Sequence, residues 1–486
     1  MLGLGFLLGL GVLFGWFRSH GTRAAEGGVL SKRLAVLPFE SAGDTGDRAF
    51  AAGISEEITT RLARVPGLSI VARSSALQYP RSGQTAPQFG RSLGVDYVLD
   101  GTVRSAPGPS GQKQLRITPE LIRVADGTHV WGEPYEGVTG DVFRLQADVA
   151  EQVAQALRGT LEGGQQRAVR AASTKDLEAF RLYTLGRAEW HRRTPDALGR
   201  AATYFKEAIS RDSGFARAWA GLADAYALFD YYSVRNLRRD TAAYGWARAA
   251  ALRAIALDST LAEPHASLNQ ILRYGYWDWA GSEKEIKRAI ELDPNYATAH
   301  KWFAEHLITF GRLPEAIAEA RTAVQLDPLA ISIQVTLGVA LWYAGQIDEA
   351  IEVFTSGLER DPAPSQLRVN LFDLYRVTGR TKDALALLTA RNDTSKYLRA
   401  LARAQSDPLA RAFVLREMLS DSLSTHVDLA RLYAYLGQGE RALAELERAA
   451  AERDPRLEMI KAEPHWAALR EHPRLTAIIA RMGLPP

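Results

Sequence analysis

The chain contains no cysteine among its 486 residues, which excludes disulfides, thiolate metal ligands and cysteine nucleophiles. It also lacks an excess of either charge, since 59 lysine and arginine residues stand against 56 acidic ones. A dedicated nucleic-acid binder usually carries a concentrated basic face, so nucleic acid is not an expected partner. The apolar share of 47% is that of a globular protein, and the length predicts about two to four folding units.

Residues 1–17 lack charged side chains and are mostly leucine, glycine, phenylalanine and valine. A helix of this length spans about 25 Å, slightly less than the roughly 30 Å hydrocarbon core of a bilayer. We expect an uncleaved transmembrane anchor over residues 1–18, which contacts the membrane through residues 1–17. A cleaved signal peptide is the alternative, although its cleavage site is poor. Four basic residues follow by position 33, which by the positive-inside rule favours a cytoplasmic body.

After a glycine-rich linker over 19–31, short apolar runs and helical stripes predict one α/β domain over residues 32–160. Asp126 and Gly127 supply the turn of a hairpin between two of its strands. Pro119 lies inside the first of these strands and cannot donate a ladder hydrogen bond. We therefore expect that strand to lie at an edge of the sheet or to carry a bulge.

Beyond a polar linker over 161–176, the chain is helical and its landmarks recur every 34 residues. This period is typical of the tetratricopeptide repeat, in which alanine lets paired helices approach and glycine releases the first helix into its turn. The landmarks in register include Pro294, Pro328 and Pro362, and Gly311, Gly345 and Gly379. We predict six or seven repeats over 177–462, forming an all-α superhelix or solenoid. A carboxyl-terminal capping helix should follow over 463–486.

Several stretches of residues 33–158 carry a resemblance to a known family. They include Leu34-Ala-Val-Leu-Pro-Phe39, Phe50-Ala-Ala-Gly-Ile-Ser-Glu-Glu-Ile58, Leu93-Gly-Val-Asp-Tyr-Val-Leu-Asp-Gly101 and Asp126-Gly-Thr-His-Val-Trp131. These stretches resemble the TolB amino-terminal-like domain, which precedes tetratricopeptide repeats in many bacterial signalling proteins. There the unit often follows a serine/threonine kinase or a class III adenylate cyclase. The resemblance implies that this chain is the sensor half of such a receptor.

Kinase motifs are absent from the sequence, which has no Asp-Phe-Gly and no glycine-rich loop with its downstream lysine. We therefore predict a non-catalytic, membrane-anchored scaffold or sensor that binds a protein or peptide in a repeat groove, without cofactor or metal. The alternative is a fragment or subunit of a signalling enzyme, a kinase or adenylate cyclase whose catalytic domain is lost or separately encoded. Kinase relatives imply a single-pass cell-membrane protein with a periplasmic body, whereas the basic residues favour a cytoplasmic one.

Two residue pairs resemble metal-binding or catalytic pairs but have simpler explanations. His300 and His306 are six residues apart on one predicted helix and therefore out of phase for a shared metal ion. Glu56 and Glu57 are neighbours on a helix and cannot share a substrate atom, so we expect both to be solvated at its surface.

Aromatic residues gather at the turns of two adjacent repeats, either as core packing or as a recognition site. They are Phe229, Tyr231, Tyr232, Tyr274, Tyr276, Trp277 and Trp279. The insertion over 230–240 carries three arginines that could meet an acidic partner, or that could simply be solvated.

The resemblance also implies that the first helix of each repeat lines a concave binding groove. The residues expected in this groove are Gln270, Arg273, Tyr274, Lys301, Glu305, Val335, Val339, Trp342, Tyr343, Asp373 and Arg376. Their mixture suits an extended or helical peptide with an apolar anchor and a few charges. Lys301 and Arg376 could clamp a carboxylate of such a peptide. Truncation of Trp342 and Arg273 should weaken binding and barely change fold stability.

Overall fold

The computed structural model describes residues 32–41, 45–79, 83–107, 113–233, 241–361, 365–390, 395–421 and 424–485. The predicted anchor over 1–18 and the linker over 19–31 lie outside these ranges, as do Pro362 and most of the insertion over 230–240. Within the described ranges, none of the helices combines the length and apolarity that crossing a membrane requires.

A six-stranded mixed sheet forms the amino-terminal part of the described chain. Its strands are β1 (Lys32–Val36), β2 (Leu68–Ile70), β3 (Tyr97–Pro107), β4 (Lys113–Arg123), β5 (His129–Trp131) and β6 (Tyr135–Val138). β1 runs parallel to both β2 and β3, and β3 pairs with β4 in an antiparallel hairpin. β5 and β6 both pair with the other side of β4, which completes the order β2-β1-β3-β4-β5.

Pro119 lies inside β4, which is not an edge strand. β3 pairs with β4 along its whole length. On the other side of β4, β6 pairs with residues 114–117, and the pairing with β5 begins only at Leu121. Residues 118–120 therefore have no ladder partner on that side, so the missing N–H of a proline is tolerated there. The expected edge position is wrong, but the expected irregularity exists as a register shift between Leu121 and Ile122.

Helices cover both faces of this sheet. They are α1 (Thr45–Ala63), α2 (Arg73–Ala76), α3 (Ala86–Leu93), α4 (Val142–Arg158) and α5 (Gly163–Arg170), with a 3-10 turn over Thr139–Asp141. α1 and α4 pack over Leu34 and Leu99 on one face, whereas α3 packs over Ala35 and Val98 on the other. Alternate residues of β1 are thus buried on opposite faces, as is usual for a strand with parallel neighbours.

Eight consecutive helix pairs follow in the described part of residues 177–451. The pairs are α6 (Leu177–Trp190) and α7 (Pro195–Arg211), α8 (Ala216–Ser233) and α9 (Thr241–Leu257), α10 (Glu263–Gln270) and α11 (Trp279–Leu292), α12 (Ala297–Thr309) and α13 (Leu313–Leu326), α14 (Ile331–Tyr343) and α15 (Ile347–Arg360), α16 (Ser365–Val377) and α17 (Thr381–Ala390), α18 (Lys396–Arg403) and α19 (Pro408–Ser420), and α20 (His426–Tyr435) and α21 (Gly439–Ala451). The count exceeds the predicted six or seven because α18 and α19 also form a pair, although their sequence lacks the repeat landmarks.

The 34-residue period is regular between α12 and α17. α12, α14 and α16 begin 34 residues apart, and so do α13, α15 and α17. Gly311, Gly345 and Gly379 follow the first helices of these pairs with φ of +72°, +79° and +74°, a left-handed conformation that favours glycine. Ala316 and Ala350 are fully buried where the helices touch. The local chemistry that the sequence predicted therefore builds the solenoid.

The predicted capping helix over 463–486 is divided. It consists of a 3-10 helix, Pro464–Leu469, and a short helix α22 (Pro473–Arg481), and a further 3-10 helix, Pro455–Met459, comes before the predicted range. Each piece starts at a proline, because the residue before a proline is disfavoured in helical conformation. We call residues 455–469 the closing segment, since it folds back onto the concave face of the repeats.

Candidate interaction site

A cavity of about 1030 Å³ lies between the concave face of the repeats, the sheet domain and the closing segment. We call it the chamber. Seven of the eleven predicted groove residues line it, namely Gln270, Tyr274, Lys301, Glu305, Val335, Val339 and Tyr343. The predicted groove therefore faces a partly enclosed space rather than open solvent.

The predicted groove residues differ in their exposure. The buried ones are Gln270, Arg273, Tyr274, Val339, Trp342 and Arg376. The partly exposed ones are Lys301, Glu305, Val335, Tyr343 and Asp373. An open concave face would leave most of these side chains accessible, and the closing segment is the main reason that several of them are not.

Arg273 is fully buried and forms a short ion pair with Glu458 of the closing segment. The Tyr274 hydroxyl donates to the same carboxylate at 3.2 Å, and Glu305 lies 3.8 Å from the guanidinium. Burial raises the pKa of Glu458 to about 7, and the nearby carboxylate of Glu305 adds to this shift while Arg273 opposes it. The expectation of an accessible Arg273 is therefore corrected, because the chain itself already uses this side chain.

Arg376 and Lys301, which were expected to clamp a carboxylate of a partner, already bind carboxylates of this chain. Arg376 pairs with Asp373, whose other oxygen lies 3.1 Å from His465 of the closing segment. Burial would raise the pKa of Asp373, but Arg376 and His465 hold it well below its ordinary range. Lys301 binds Glu305 at 2.6 Å. Both cations therefore have acidic partners in this structure.

Trp342 lies beneath the closing segment and is only 3% exposed. Its ring is 5.3 Å from that of Tyr343 and 6.1 Å from that of His465. Truncation of Trp342 would open a cavity in this packing, so the expectation of an unchanged fold stability does not suit its position.

Glu56 and Glu57 are buried, contrary to the expected solvation at a helix surface. Glu56 pairs with Arg73 at 2.7 Å and with Arg187 of α6 at 3.3 Å. Glu57 binds Arg217 of α8 at 3.0 Å. The correction has a physical reason, since α1 is covered on this side by the first repeats. The ion pairs with Arg187 and Arg217 join the sheet domain to the solenoid.

A close approach of α1 and α6 completes this contact. A Cβ atom at Gly53 would come within 2.3 Å of the Thr184 side chain, so any larger residue would push the two helices apart. Phe50 and Phe180 meet edge to face beside it, with ring centroids 6.5 Å apart.

The sheet domain contacts the solenoid again near Asp327, which follows α13. Both Ser74 and Ser75 donate hydrogen bonds to the Asp327 carboxylate. The Ala72 amide also donates to the Leu326 carbonyl at 2.9 Å. The domain thus spans the concave side from α6 to α13 and forms one wall of the chamber.

We expect Asp327→Asn to gain about 1 kcal/mol of stability over the wild type between pH 5 and pH 7.5. Burial raises the pKa of Asp327 from 3.8 to about 6, while the two serine hydrogen bonds oppose the shift. A raised folded-state pKa means that stability is present at low pH and is lost as the pH rises through about 6. Asparagine does not titrate, so urea midpoints of the two proteins should diverge as the pH rises.

Asp348→Asn is the matched control, because this side chain is fully exposed. The difference in urea midpoint between Asp348→Asn and the wild type should be the same at pH 5 and at pH 7.5. Parallel pH profiles for the wild type and Asp327→Asn would contradict the assigned role of Asp327.

Several of the other histidine and aromatic residues that the sequence singled out are buried. His306 is fully buried, and burial lowers its pKa to about 3. Tyr274 and Trp279 are buried, and the Trp279 indole donates to the Met482 carbonyl at 2.7 Å. Tyr276 is exposed, and the side chains of residues 229–233 lie outside the described part. Within the described residues, no cluster of histidine, aspartate and glutamate could hold a metal ion.

The closing segment is what sequence reasoning missed. Glu458, Glu463 and His465 carry no landmark of the repeat, so their contacts with the concave face have no periodic signal. A weaker signal was present, because Asp454-Pro455 and Glu463-Pro464 are two acid-proline steps that predict two helix starts. Pro473 lies inside the predicted capping helix and is incompatible with one continuous helix over 463–486.

Comparison with known proteins supports the repeat architecture. Models of the tetratricopeptide repeat family match residues 278–331 and residues 341–407. A curated protein of Rhizobium meliloti (strain 1021), named "Putative adenylate cyclase 3", is 32% identical over 204 residues, which cover 42% of this chain. The match covers 34% of that relative, so this chain spans about a third of its length.

Solved structures of similar proteins include two with tetratricopeptide repeats. A thermophilic TPR protein of Thermus thermophilus aligns at 17% identity and a TM-score of 0.34, over 40% of this chain and 98% of its own. A TPR protein with an unusual peptide-binding site aligns at 19% identity and a TM-score of 0.26, over 39% of this chain and 89% of its own. From the family matches and the 34-residue helix pairs, we conclude that this chain contains a tetratricopeptide-repeat solenoid behind a small amino-terminal sheet.

Proposed function

We propose that the chain is a non-catalytic interaction module that binds a peptide or protein segment on the concave face of its repeats. The observation that carries this proposal is that the concave face already holds a peptide segment, the chain's own closing segment. Glu458 binds Arg273 there, and Glu463 binds Arg431 at 2.6 Å. The surface therefore has the chemistry to bind the carboxylates of a short segment with proline-bounded turns.

The part of the chamber beyond the closing segment is the expected partner site. Val335 and Tyr343 supply partly exposed apolar surface there, and Lys301 and Glu305 lie beside them. This combination suits an extended or helical segment with one apolar anchor and a few charges.

Val335→Glu should weaken the binding of a captured partner about tenfold, because a new carboxylate would have to be desolvated against the apolar anchor. The partner is first recovered with the full chain as bait and identified by mass spectrometry, and its affinity for the variants is then measured by calorimetry. Val369→Glu is the control, since Val369 is 62% exposed on α16 and does not line the chamber. Equal affinities of the two variants would refute the proposal that the partner binds in this groove.

The amino-terminal region allows a finer proposal. We infer that residues 32–160 are a TolB amino-terminal-like domain, which the resemblance supports, and that residues 1–18 anchor the chain in the cell membrane. The body would then lie in the periplasm, with the cytoplasm as the alternative. A carboxyl-terminal alkaline phosphatase fusion tests this orientation, because the enzyme is active only when exported; an inactive fusion would contradict the periplasmic location.

A second proposal is that the chain belongs to a signalling enzyme as a fragment or subunit. The 32% identity with a relative that is named as an adenylate cyclase supports it, although about two thirds of that relative lie outside the match. The test is cyclic AMP formation by a cyclase domain encoded in the same genome, with and without the purified chain. A rate that the chain does not change would argue against this function.

A further inference from the structure

The closing segment has two faces, and they contact different parts of the solenoid. Leu457, Ile460 and Trp466 belong to the apolar core that α20 and α21 share at the end of the repeats. Ala462 belongs instead to the core of the earlier repeats, which also contains Trp342. One face therefore anchors the segment to the last helix pair, and the other face bridges to the middle of the concave surface.

Polar contacts hold this bridging face to distant helix pairs. Glu458 binds Arg273, which follows α10 in the third pair, and His465 lies 3.1 Å from Asp373 of α16 in the sixth pair. In a solenoid each repeat otherwise contacts its neighbours, and small rotations between repeats add up along the array. Such rotations could separate the bridging face from the concave surface while the apolar anchor at the last pair stays intact.

Glu458 is buried among groups that make its protonation depend on this contact. Tyr274 donates to it at 3.2 Å, and Glu305, which binds Lys301 at 2.6 Å, lies 3.8 Å from the shared Arg273 guanidinium. Burial raises the pKa of Glu458 from 4.5 to about 7, Glu305 adds to the shift, and Arg273 and Tyr274 oppose it. A raised pKa means that the contact is favoured at low pH and weakens as the pH rises through about 7.

His465 responds to pH in the same direction. Its two ring nitrogens lie 3.1 Å from Asp373 and 2.8 Å from Glu463, and Arg376 lies 3.0 Å from the nitrogen that faces Asp373. Glu463 also binds Arg431. Burial would lower the pKa of His465, but the two carboxylates raise it above 6.5 overall. This contact too is strongest below pH 6.5 and weakens as the pH rises through the raised pKa.

We propose that the closing segment regulates access to the concave groove in response to pH: protonation keeps the groove closed, and deprotonation lets the last helix pair and its attached segment rotate away. Opening would uncover Arg273, Trp342 and Arg376, which are buried in the closed form. The control of partner binding rests on the proposed function, whereas the opening itself is a property of the chain alone.

A single engineered cysteine can measure this opening, because the chain has none of its own. Ala462 is 4% exposed on the bridging face, so a thiol in Ala462→Cys should react with a thiol reagent only when the groove opens. Ala451→Cys carries its thiol on an exposed position of α21 and corrects for the pH dependence of the thiol itself. We expect the ratio of the two labelling rates to rise at least about tenfold from pH 6 to pH 8. This is the effect of one carboxyl whose pKa falls from about 7 to 4.5 on opening.

Glu458→Gln in the Ala462→Cys protein removes the main titrating group. Glutamine has the shape of the protonated acid, and Arg273 keeps Glu305 at 3.8 Å. This variant should label like its Ala462→Cys parent at pH 6 and about tenfold more slowly than the parent at pH 8. Glu471→Gln is the matched control, since Glu471 is exposed and lies outside the closing segment, and it should label like the parent at both pH values.

Three results would overturn the proposal. They are a rate ratio that stays the same between pH 6 and pH 8, equal labelling of the Glu458→Gln and Glu471→Gln proteins at pH 8, and faster labelling of Glu458→Gln than of the parent at both pH values. None of these results bears on the proposed partner groove, because no partner takes part in the experiment.

Discussion

Arg273→Ala should destabilise the protein by about 3–5 kcal/mol at pH 8, which is the cost of leaving a buried charge without its partner. The guanidinium is fully buried, and its loss leaves Glu458 without a cation in the same enclosed space. Burial already raises the pKa of Glu458 to about 7, so this carboxyl can take up a proton at lower pH. The destabilisation should therefore be smaller at pH 6 than at pH 8, as measured by urea unfolding.

Arg288→Ala is the control for this prediction. Arg288 is half exposed on the following helix α11 and pairs with Glu291 at 3.1 Å, an ion pair of the kind that contributes under about 1 kcal/mol. Equal losses for the two arginine variants would mean that the closing segment is not held by Arg273. Resistance of the Arg273→Ala protein to proteolysis within residues 455–469 would mean the same.

Glu57→Gln should destabilise the docking of the sheet domain by about 3–5 kcal/mol, because the change leaves two buried guanidiniums without their carboxylate. Glu57 lies 3.2 Å from Arg61 on its own helix and 3.0 Å from Arg217 in the solenoid. Glutamine has almost the same shape, so the effect comes from the charge rather than from packing. The measurements are urea unfolding and limited proteolysis of the connection between α5 and α6.

Glu136→Gln makes the same chemical change at the surface of the same sheet domain. Its ion pair with Arg116 is 3.4 Å long, and both side chains are more than half exposed, so we expect almost no effect. If Glu57→Gln behaved like this control, the buried ion pairs would not be what joins the two parts of the chain.

Local contacts explain the successes of the sequence analysis. The recurrence of Gly311, Gly345 and Gly379 predicted that the first helix of each pair ends in a turn there, and in the structure all three have positive φ. The chemistry at such a turn involves residues within a few positions of each other, so it repeats with the sequence. The same reasoning failed for α18 and α19, which pair without landmark residues because apolar packing alone suffices there.

The candidate site was predicted only in part for a related reason. The repeat positions put Lys301, Val335 and Tyr343 on one face, since the phase of a helix determines which side chains share a face, and in the structure all three line the chamber. The repeat positions could not reveal which of these side chains are covered. Arg273 and Trp342 are buried by the closing segment, whose sequence is not periodic.

The amino-acid sequence by itself therefore determined the two architectural parts and the faces of their helices, because alternation and the 34-residue period report contacts between near neighbours. Only the tertiary structure decided that the concave face is enclosed. Glu57 and Arg217 are 160 positions apart, and Arg273 and Glu458 are 185 apart. Such pairs meet because many small rotations between successive repeats add up to a curved solenoid, and no local pattern records that sum.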